Sequence, residues 1–132
     1  MYYVLFYLMS LSTINHSYGH INTPDTKEYI TKIYVYKEWL FIGSTMARIY
    51  VYKKNLGNYH FQQCLQCSHR GGESPIMREV HEIYAAHNKV YAGLYERVNI
   101  FNVDTLKLER TIEHNFGIVR LCSDERRLYA LD

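Results

Sequence analysis

The sequence predicts an all-β fold built from repeated, four-stranded antiparallel units. Two segments carry this prediction: residues 40–53 read LFIGSTMARIYVYK, and residues 90–102 read VYAGLYERVNIFN. Each segment consists of two strand-like runs around a short polar link, and Gly43 and Gly93 occupy matching places fifty residues apart. A period of this length is typical of stacked β-units, each of which buries a face against the next unit.

The composition also favours strands. The chain has 132 residues, of which 48% are apolar in a count that includes 14 tyrosines. Tyr, Ile, Val and Phe suit half-buried positions in sheets. A net charge of +2, from 15 basic and 13 acidic residues, gives no argument for nucleic acid or an anionic membrane as partner. A chain of this length forms at most one domain.

Alternation of apolar and polar residues places the individual strands. Residues 30–36 alternate, which predicts a strand with one buried face. Residues 39–43 are almost all apolar, which predicts a strand covered on both faces. Residues 55–58 read NLGN and predict a hairpin turn, because Asn and Gly tolerate positive φ. The predicted strands span residues 30–36, 39–43, 48–52, 59–65, 79–86, 89–93, 98–103, 106–112, 118–122 and 128–131.

A polar stretch separates the two repeated units. Residues 66–77 contain a Gly-Gly pair and a proline, which predict an exposed loop. The apolar residues within 76–86 have a spacing that also fits a short helix. We prefer a strand at 79–86, because the segment is short and no helix cap is evident. The rest of the sequence predicts no helix.

The N-terminal segment has two interpretations. Residues 1–14 are apolar, carry no charged side chain and are too few to span a bilayer. They are either a buried strand, the last strand of a preceding unit, or part of a signal peptide that is cleaved after residues 17–19 (SYG). We prefer the strand, because the first basic residue is Lys27 and the positive start of a signal peptide is missing. The chain therefore divides into 1–29, the apolar segment and a loop, and 30–132, the repeated units.

The repeated residues resemble the WD-repeat β-propeller family. Residues 42–44 (IGS) stand where a blade of that family has Ser-Gly-Ser. Residues 49–53 (IYVYK) and 98–102 (VNIFN) stand where it has Ile-x-Val-Trp-Asp. Residues 104–106 (DTL) are similar to the turn into its outer strand, and residues 111–115 (TIEHN) to its Thr-Leu-x-Gly-His ending. The resemblance implies a partial β-propeller of antiparallel four-stranded blades, two complete and part of a third.

The sequence departs from the family pattern in ways that matter for its structure. Residues 52–53 (YK) and 101–102 (FN) replace Trp-Asp, and Gly-His occurs only at residues 19–20, before a long loop. The His–Ser–Trp–Asp network that ties such blades together is therefore not expected in its usual form. A closed ring needs about 4–8 blades. Two units and part of a third suggest a fragment, a ring of several chains, or completion by a partner chain.

No catalytic or metal-binding constellation is evident in the sequence. Cys64 and Cys67 form a C-x-x-C pair, but zinc usually needs four ligands, so a structural role is preferred. Three cysteines are unable to pair fully within one chain, which favours reduced thiols and the cytoplasm. The sequence lacks a nucleophile elbow and a phosphate-binding loop. It therefore predicts no enzyme, no cofactor and no metal.

The sequence as a whole predicts a non-enzymatic scaffold for protein–protein interaction, in the cytoplasm, with other proteins as partners. Tyr95 and Arg97, at a turn, are the predicted partner-binding residues, because Tyr and Arg are enriched at binding hot spots. Two alternatives stay open. The first is a secreted or surface propeller that binds or hydrolyses a ligand, if residues 1–19 are a signal peptide. The second is a split-propeller subunit of a large assembly.

Overall fold

The structure is a computed structural model of the chain and describes residues 28–68, 74–115, 117 and 120–131. These residues form strands and one short 3₁₀ helix at Pro75–Arg78, which confirms the predicted all-β fold. The strands are β1 (Ile30–Tyr36), β2 (Trp39–Ser44), β3 (Arg48–Asn55), β4 (Asn58–Gln66), β5 (Glu82–Ala86), β6 (Lys89–Leu94), β7 (Arg97–Asn102), β8 (Leu108–Glu113), β9 (Arg120–Ser123) and β10 (Leu128–Leu131).

The strands pair antiparallel, in sequence order, in three sheets. Blade 1 contains β1 to β4, blade 2 contains β5 to β8, and β9 and β10 are the described strands of blade 3. Strand β5 lies against β1, and β9 lies against β5, so the first strands of successive blades are neighbours. The fourth strands β4 and β8 lie at the opposite edges of their sheets. Sheets that radiate from their first strands are the arrangement of propeller blades, as the sequence predicted.

Several of the tight turns that connect the strands contain residues with a left-handed backbone conformation, that is, a positive φ angle. Leu56 and Gly57, between β3 and β4, have φ angles of 49° and 82°. Two consecutive positive φ values are typical of a type I′ hairpin turn, and this turn is the one that the sequence predicted. His87 and Asn88, between β5 and β6, have φ angles of 51° and 62° and turn the chain in the same way.

The two complete blades share an irregularity between their third and fourth strands. The register of β3 with β4 shifts between Val51 and Tyr52, and the register of β7 with β8 shifts between Ile100 and Phe101. A bulge of this kind bends its strand and increases the local twist. The two sheets therefore bend at corresponding places.

The main core lies between blade 1 and blade 2. Phe41 and Val51 of blade 1 and Phe101 of blade 2 are among its buried members. Gly43 permits close approach of the connection and of β5 to blade 1, since a Cβ on this residue would lie 2.8 Å from Cγ1 of Val80 and 3.1 Å from Cδ1 of Ile83. A second, smaller core joins blade 2 to blade 3. Its buried members are Val98 and Leu121.

The chain before β5 differs from the sequence prediction. The predicted strand at 79–86 begins only at Glu82, and the 3₁₀ helix lies where a loop was predicted. The alternative prediction of a helix across 76–86 was wrong beyond Arg78. The helix ends there because Glu79 is extended (φ −72°, ψ 136°) and the next two backbone amides donate to blade 1 and to β6.

Some predictions fall on residues outside the described ranges. They are the strand or signal peptide in residues 1–19, the Gly-Gly pair of the predicted loop and the start of the predicted strand at 118. The domain boundary at residue 29 also stays a prediction. No helix in the described ranges is long and apolar enough to cross a membrane.

Candidate partner-binding face

Four segments lie together at the end of the sheets where β1 and β5 begin. They are the turn at 45–47 between β2 and β3, the connection at 74–81, the turn at 95–96 between β6 and β7, and residues 114, 115 and 117 after β8. We term this end the upper face. The pairing is antiparallel, so the same end also holds the last residues of β2, β4, β6 and β8.

Backbone hydrogen bonds hold the connection at 74–81 on both complete blades. The amide of Val80 donates to the carbonyl of Ser44 at 3.0 Å, and the amide of His81 donates to the carbonyl of Gly93 at 2.8 Å. The hydroxyl of Thr31 donates to the carbonyl of Val80 at 2.7 Å. Because both blades bind it, the connection has a defined position on the upper face.

Of the two predicted partner-binding residues, one is exposed in the structure and the other is buried. Tyr95 is 36% exposed on the turn, and its ring lies over Gly117, where an added Cβ would be 3.5 Å away. Arg97 is only 5% exposed, and its guanidinium donates to the carbonyl of Met77 at 3.4 Å. Tyr95 is therefore available for contact with a partner, whereas Arg97 holds the 3₁₀ helix. A role for either in partner binding stays a prediction.

Sequence reasoning missed two further exposed side chains on the upper face. Tyr29 and Ile76 are each 57% exposed. Tyr29 lies beside the β2–β3 turn, where its backbone amide and carbonyl both bond to Thr45 at 3.0 Å. A large apolar residue directly after Pro75 in a polar loop was the available signal for Ile76.

The charges in the described part of the upper face are of both signs. Nδ1 of His81 lies 4.0 Å from a carboxylate oxygen of Glu79, and Nε2 of His81 lies 3.1 Å from the carbonyl oxygen of Ile76. Glu96 lies in the turn beside Tyr95 with a φ of 62°. The described part of this face thus combines exposed apolar side chains with charges of both signs.

A carboxylate network stabilises the start of blade 1 below this face. The buried carboxylate of Glu28 accepts hydrogen bonds from the hydroxyl of Ser44 at 2.6 Å and that of Tyr50 at 2.9 Å. Arg48 also donates to it, at 3.3 Å. Burial, and then the bond to Glu28, raise the pKa of Tyr50. The sequence did not predict this network.

Blade 2 has a different polar contact at the corresponding strand. The Oδ1 atom of buried Asn99 accepts from the amide of Ser68 at 3.2 Å and from its hydroxyl at 2.8 Å. The hydroxyl of Thr111 donates to the same atom at 3.2 Å. Since Ser68 lies two residues after the last strand of blade 1, Asn99 ties the two blades together.

The cysteine pair of the sequence has no common site in the structure. Cys67 is buried in the main core, and this burial raises the pKa of its thiol to about 12. Cys64 is exposed, and so is Cys122; all three lie in the described ranges and are free thiols. No group of three or more His, Cys, Asp or Glu residues in those ranges is arranged to hold a metal ion.

The fold defines a set of antiparallel, four-stranded β-propeller blades. In line with this, the chain is similar to the crystal structure of Saccharomyces cerevisiae Sqt1, a WD40 β-propeller protein, with a TM-score of 0.61 and 16% identity. The match covers 76% of this chain and 26% of Sqt1, so the chain spans about a quarter of that protein. No family model and no curated protein matches the sequence.

Proposed function

We propose that this chain is a non-enzymatic, cytoplasmic scaffold whose upper face binds other proteins. The observation that carries the proposal is the presence of three exposed apolar side chains, Tyr29, Ile76 and Tyr95, on this face. The backbone near them is hydrogen-bonded across the blades, so little conformational entropy is lost when a partner binds. The structural likeness to a WD40 protein supports the same class of function.

Within this proposal Tyr95 contacts the partner and Arg97 positions the surface. Tyrosine offers a large contact area with few rotatable bonds, and it is enriched among hot-spot residues. Arg97 acts through the carbonyl of Met77, which holds the 3₁₀ helix that carries Ile76. Loss of Tyr95 is therefore expected to weaken binding directly, and loss of Arg97 is expected to displace Ile76.

Comparative affinity purification tests the proposal. The tagged chain, a Tyr95→Ser variant and a Tyr129→Ser variant are expressed at equal levels and their bound proteins are quantified by mass spectrometry. Tyr129 is a matched control, because it is 42% exposed but lies on β10, away from the upper face.

We expect at least one bound protein whose recovered amount falls about tenfold or more with Tyr95→Ser and stays unchanged with Tyr129→Ser. A tenfold loss is the size of a hot-spot effect. Circular dichroism confirms that both variants are folded. Identical sets of bound proteins for all three chains would contradict the assignment of the upper face as the binding surface.

We also propose, as a second candidate, that further blades from a neighbouring chain complete this one in a larger assembly. The observation in its favour is that the match spans only 26% of Sqt1, whereas it covers 76% of this chain. Native mass spectrometry of the purified chain is the test. A stable monomer that stays monomeric with cell extract added would contradict it.

A further inference from the structure

The hairpin between β3 and β4 has an exposed leucine at its tip. Leu56 is 95% exposed and has a left-handed φ of 49°. Asn or Asp suits this position of a type I′ turn, whereas leucine there combines a strained backbone with an apolar side chain in water. Leu106 is also left-handed, with a φ of 54°, but its side chain packs on the main core. Leu56 has no such compensation from the described residues, and a local cost of this kind points to a function.

Two lysines lie directly behind this tip in β3. The ammonium group of Lys53 lies over the ring of Trp39, 4.9 Å from the ring centroid, and that of Lys54 lies over the ring of Tyr59 at 5.9 Å. An aromatic face attracts a cation but does not neutralise it, so the rings position both charges and leave them available. The ion pairs among the described residues include neither lysine.

A third lysine comes from the neighbouring turn. The amide of Lys54 donates to the carbonyl of Glu38 at 2.7 Å, which joins the β1–β2 turn to the hairpin. Exposed Lys37 lies in this turn, with its ammonium group 5.2 Å from the ring centroid of Tyr36. We term residues 37–38 and 53–59 the basic tip. Its three lysines and one glutamate give it a net charge of +2.

The other described turns at this end of the sheets have no net positive charge. The β7–β8 turn of blade 2 contains Asp104 and Lys107, and residues 124–127 between β9 and β10 read DERR, with two charges of each sign. The β5–β6 turn consists of His87 and Asn88. A negatively charged partner that approaches this end is therefore attracted to blade 1.

The groups of the basic tip differ in depth along the hairpin. Trp39 and Tyr59 are the cross-strand partners of Lys53 and Lys54, so the two ammonium groups stay level with their own residues. Leu56 lies two and three residues beyond them, which is about 7–10 Å at the rise of a strand. Apolar side chains of proteins that lie on a bilayer are buried about 5–10 Å into the boundary between headgroups and acyl chains. The two spacings agree.

We propose that the basic tip of blade 1 binds the surface of an anionic phospholipid bilayer. Leu56 enters the apolar layer, and the three lysines lie level with the negative headgroups. A convex tip with one apolar side chain favours a bilayer over a protein, because a protein would need a matching pocket. The upper face lies at the opposite end of the sheets, so a chain bound in this way still presents that face to other proteins.

Co-sedimentation of the full chain with vesicles tests the proposal. One set of vesicles contains phosphatidylcholine alone, and the other contains phosphatidylcholine with about a quarter phosphatidylserine. We expect binding to the mixed vesicles to be stronger by about tenfold or more, since each lysine near an anionic surface contributes about fivefold. This binding is expected to weaken as salt is added, because salt screens exposed charges.

Three variants separate the apolar contact from the charges. Leu56→Asn creates the Asn-Gly pair preferred in type I′ turns, so the hairpin is kept, and binding to mixed vesicles is expected to fall about tenfold. Lys53→Gln/Lys54→Gln is expected to lower it about twentyfold. The matched control Arg110→Gln/Arg120→Gln removes the same charge from exposed positions on β8 and β9 and is expected to change binding by less than about twofold. Circular dichroism confirms that each variant is folded.

Three results would overturn the proposal. The first is equal binding of the unchanged chain to both kinds of vesicle, and the second is unchanged binding of Leu56→Asn to the mixed vesicles. The third is an equal loss for the lysine and arginine variants, which would indicate attraction to the chain as a whole. If neither kind of vesicle binds the chain and Leu56→Asn loses a protein in affinity purification, the tip fits a protein pocket and the bilayer proposal is wrong.

Discussion

The substitution Gly43→Ala tests how closely the first two blades pack. An added Cβ would lie 2.8 Å from Cγ1 and 2.9 Å from Cβ of Val80, and 3.1 Å from Cδ1 of Ile83. Both neighbours are fully buried. Val80 has little freedom to move, because its amide is bonded to the carbonyl of Ser44 at 3.0 Å. The new methyl group is therefore expected to push Val80 and Ile83 away from blade 1.

The expected loss of stability follows from two opposing effects. Insertion of a methyl group into a well-packed core costs about 1–3 kcal/mol. Replacement of glycine by alanine also restricts the unfolded chain, and this raises the free energy of unfolding by about 0.4–1 kcal/mol. We therefore expect the free energy of unfolding to fall by about 1–2 kcal/mol.

Urea unfolding followed by the fluorescence of Trp39 measures this loss. Trp39 is the single tryptophan of the sequence and stacks near Phe41 of the main core, with ring centroids 6.4 Å apart. With a urea slope of about 2 kcal/mol per M, the midpoint is expected to fall by about 0.5–1 M.

Gly117→Ala is the matched control, because its Cβ would meet the ring of Tyr95 at an ordinary 3.5 Å. Its effect is expected to stay within about 0.5 kcal/mol. If Gly43→Ala unfolds at the same urea concentration as the unchanged chain, the inference of tight interblade packing at this glycine is refuted.

Three further predictions concern the buried polar groups and thiols. A thiol reagent at neutral pH is expected to modify Cys64 and Cys122 in the folded chain and buried Cys67 only after denaturation; equal labelling rates by mass spectrometry would contradict this. Glu28→Ala is expected to lower the free energy of unfolding by about 2–3 kcal/mol in urea titrations, since it leaves buried donors without their acceptor; a loss below about 0.5 kcal/mol would argue against the network. The folded-state pKa of Tyr50 is raised, so its contribution is complete below its unfolded-state value, about 10, and is lost as the pH rises above it. The difference in urea midpoint between the chain and Tyr50→Phe should therefore shrink from about pH 10 upward, and a constant difference would refute the role of the phenol.

Local sequence patterns predicted the strands because runs of β-favouring residues, alternating or continuously apolar, are separated by turn residues. The first strand runs over residues 30–36, as predicted, and the NLGN turn occurs where it was predicted, with positive φ at Leu56 and Gly57. The alternation indicated the wrong buried face of this strand, because Val35 is 57% exposed whereas Tyr34 and Tyr36 pack on the main core. The same reasoning was less accurate at β8, which begins at Leu108 and not at residue 106. Leu106 has a φ of 54° and belongs to the preceding turn, a conformation that its side chain does not signal.

The polar contacts of the candidate site could not be predicted from local sequence patterns. The hydrogen bonds of Glu28 reach Ser44 and Tyr50, and the partner of Arg97 is a backbone carbonyl twenty residues earlier in the chain. A backbone carbonyl carries no sequence signature, so the charge of Arg97 suggested an exposed residue. Tyr95 could be placed on a turn because its neighbours are polar, but its position relative to Ile76 depends on tertiary packing.

The matching bulges of the two blades have an evolutionary consequence. Because the sheets bend at equivalent residues, between Val51 and Tyr52 and between Ile100 and Phe101, each offers its neighbour a surface of the same curvature. If a gene segment that encodes one such sheet is duplicated or exchanged, the new sheet can pack on its neighbour without a change in the backbone of the contact between blades. The addition of blades by duplication is therefore limited by the side chains at each contact between blades rather than by the path of the backbone.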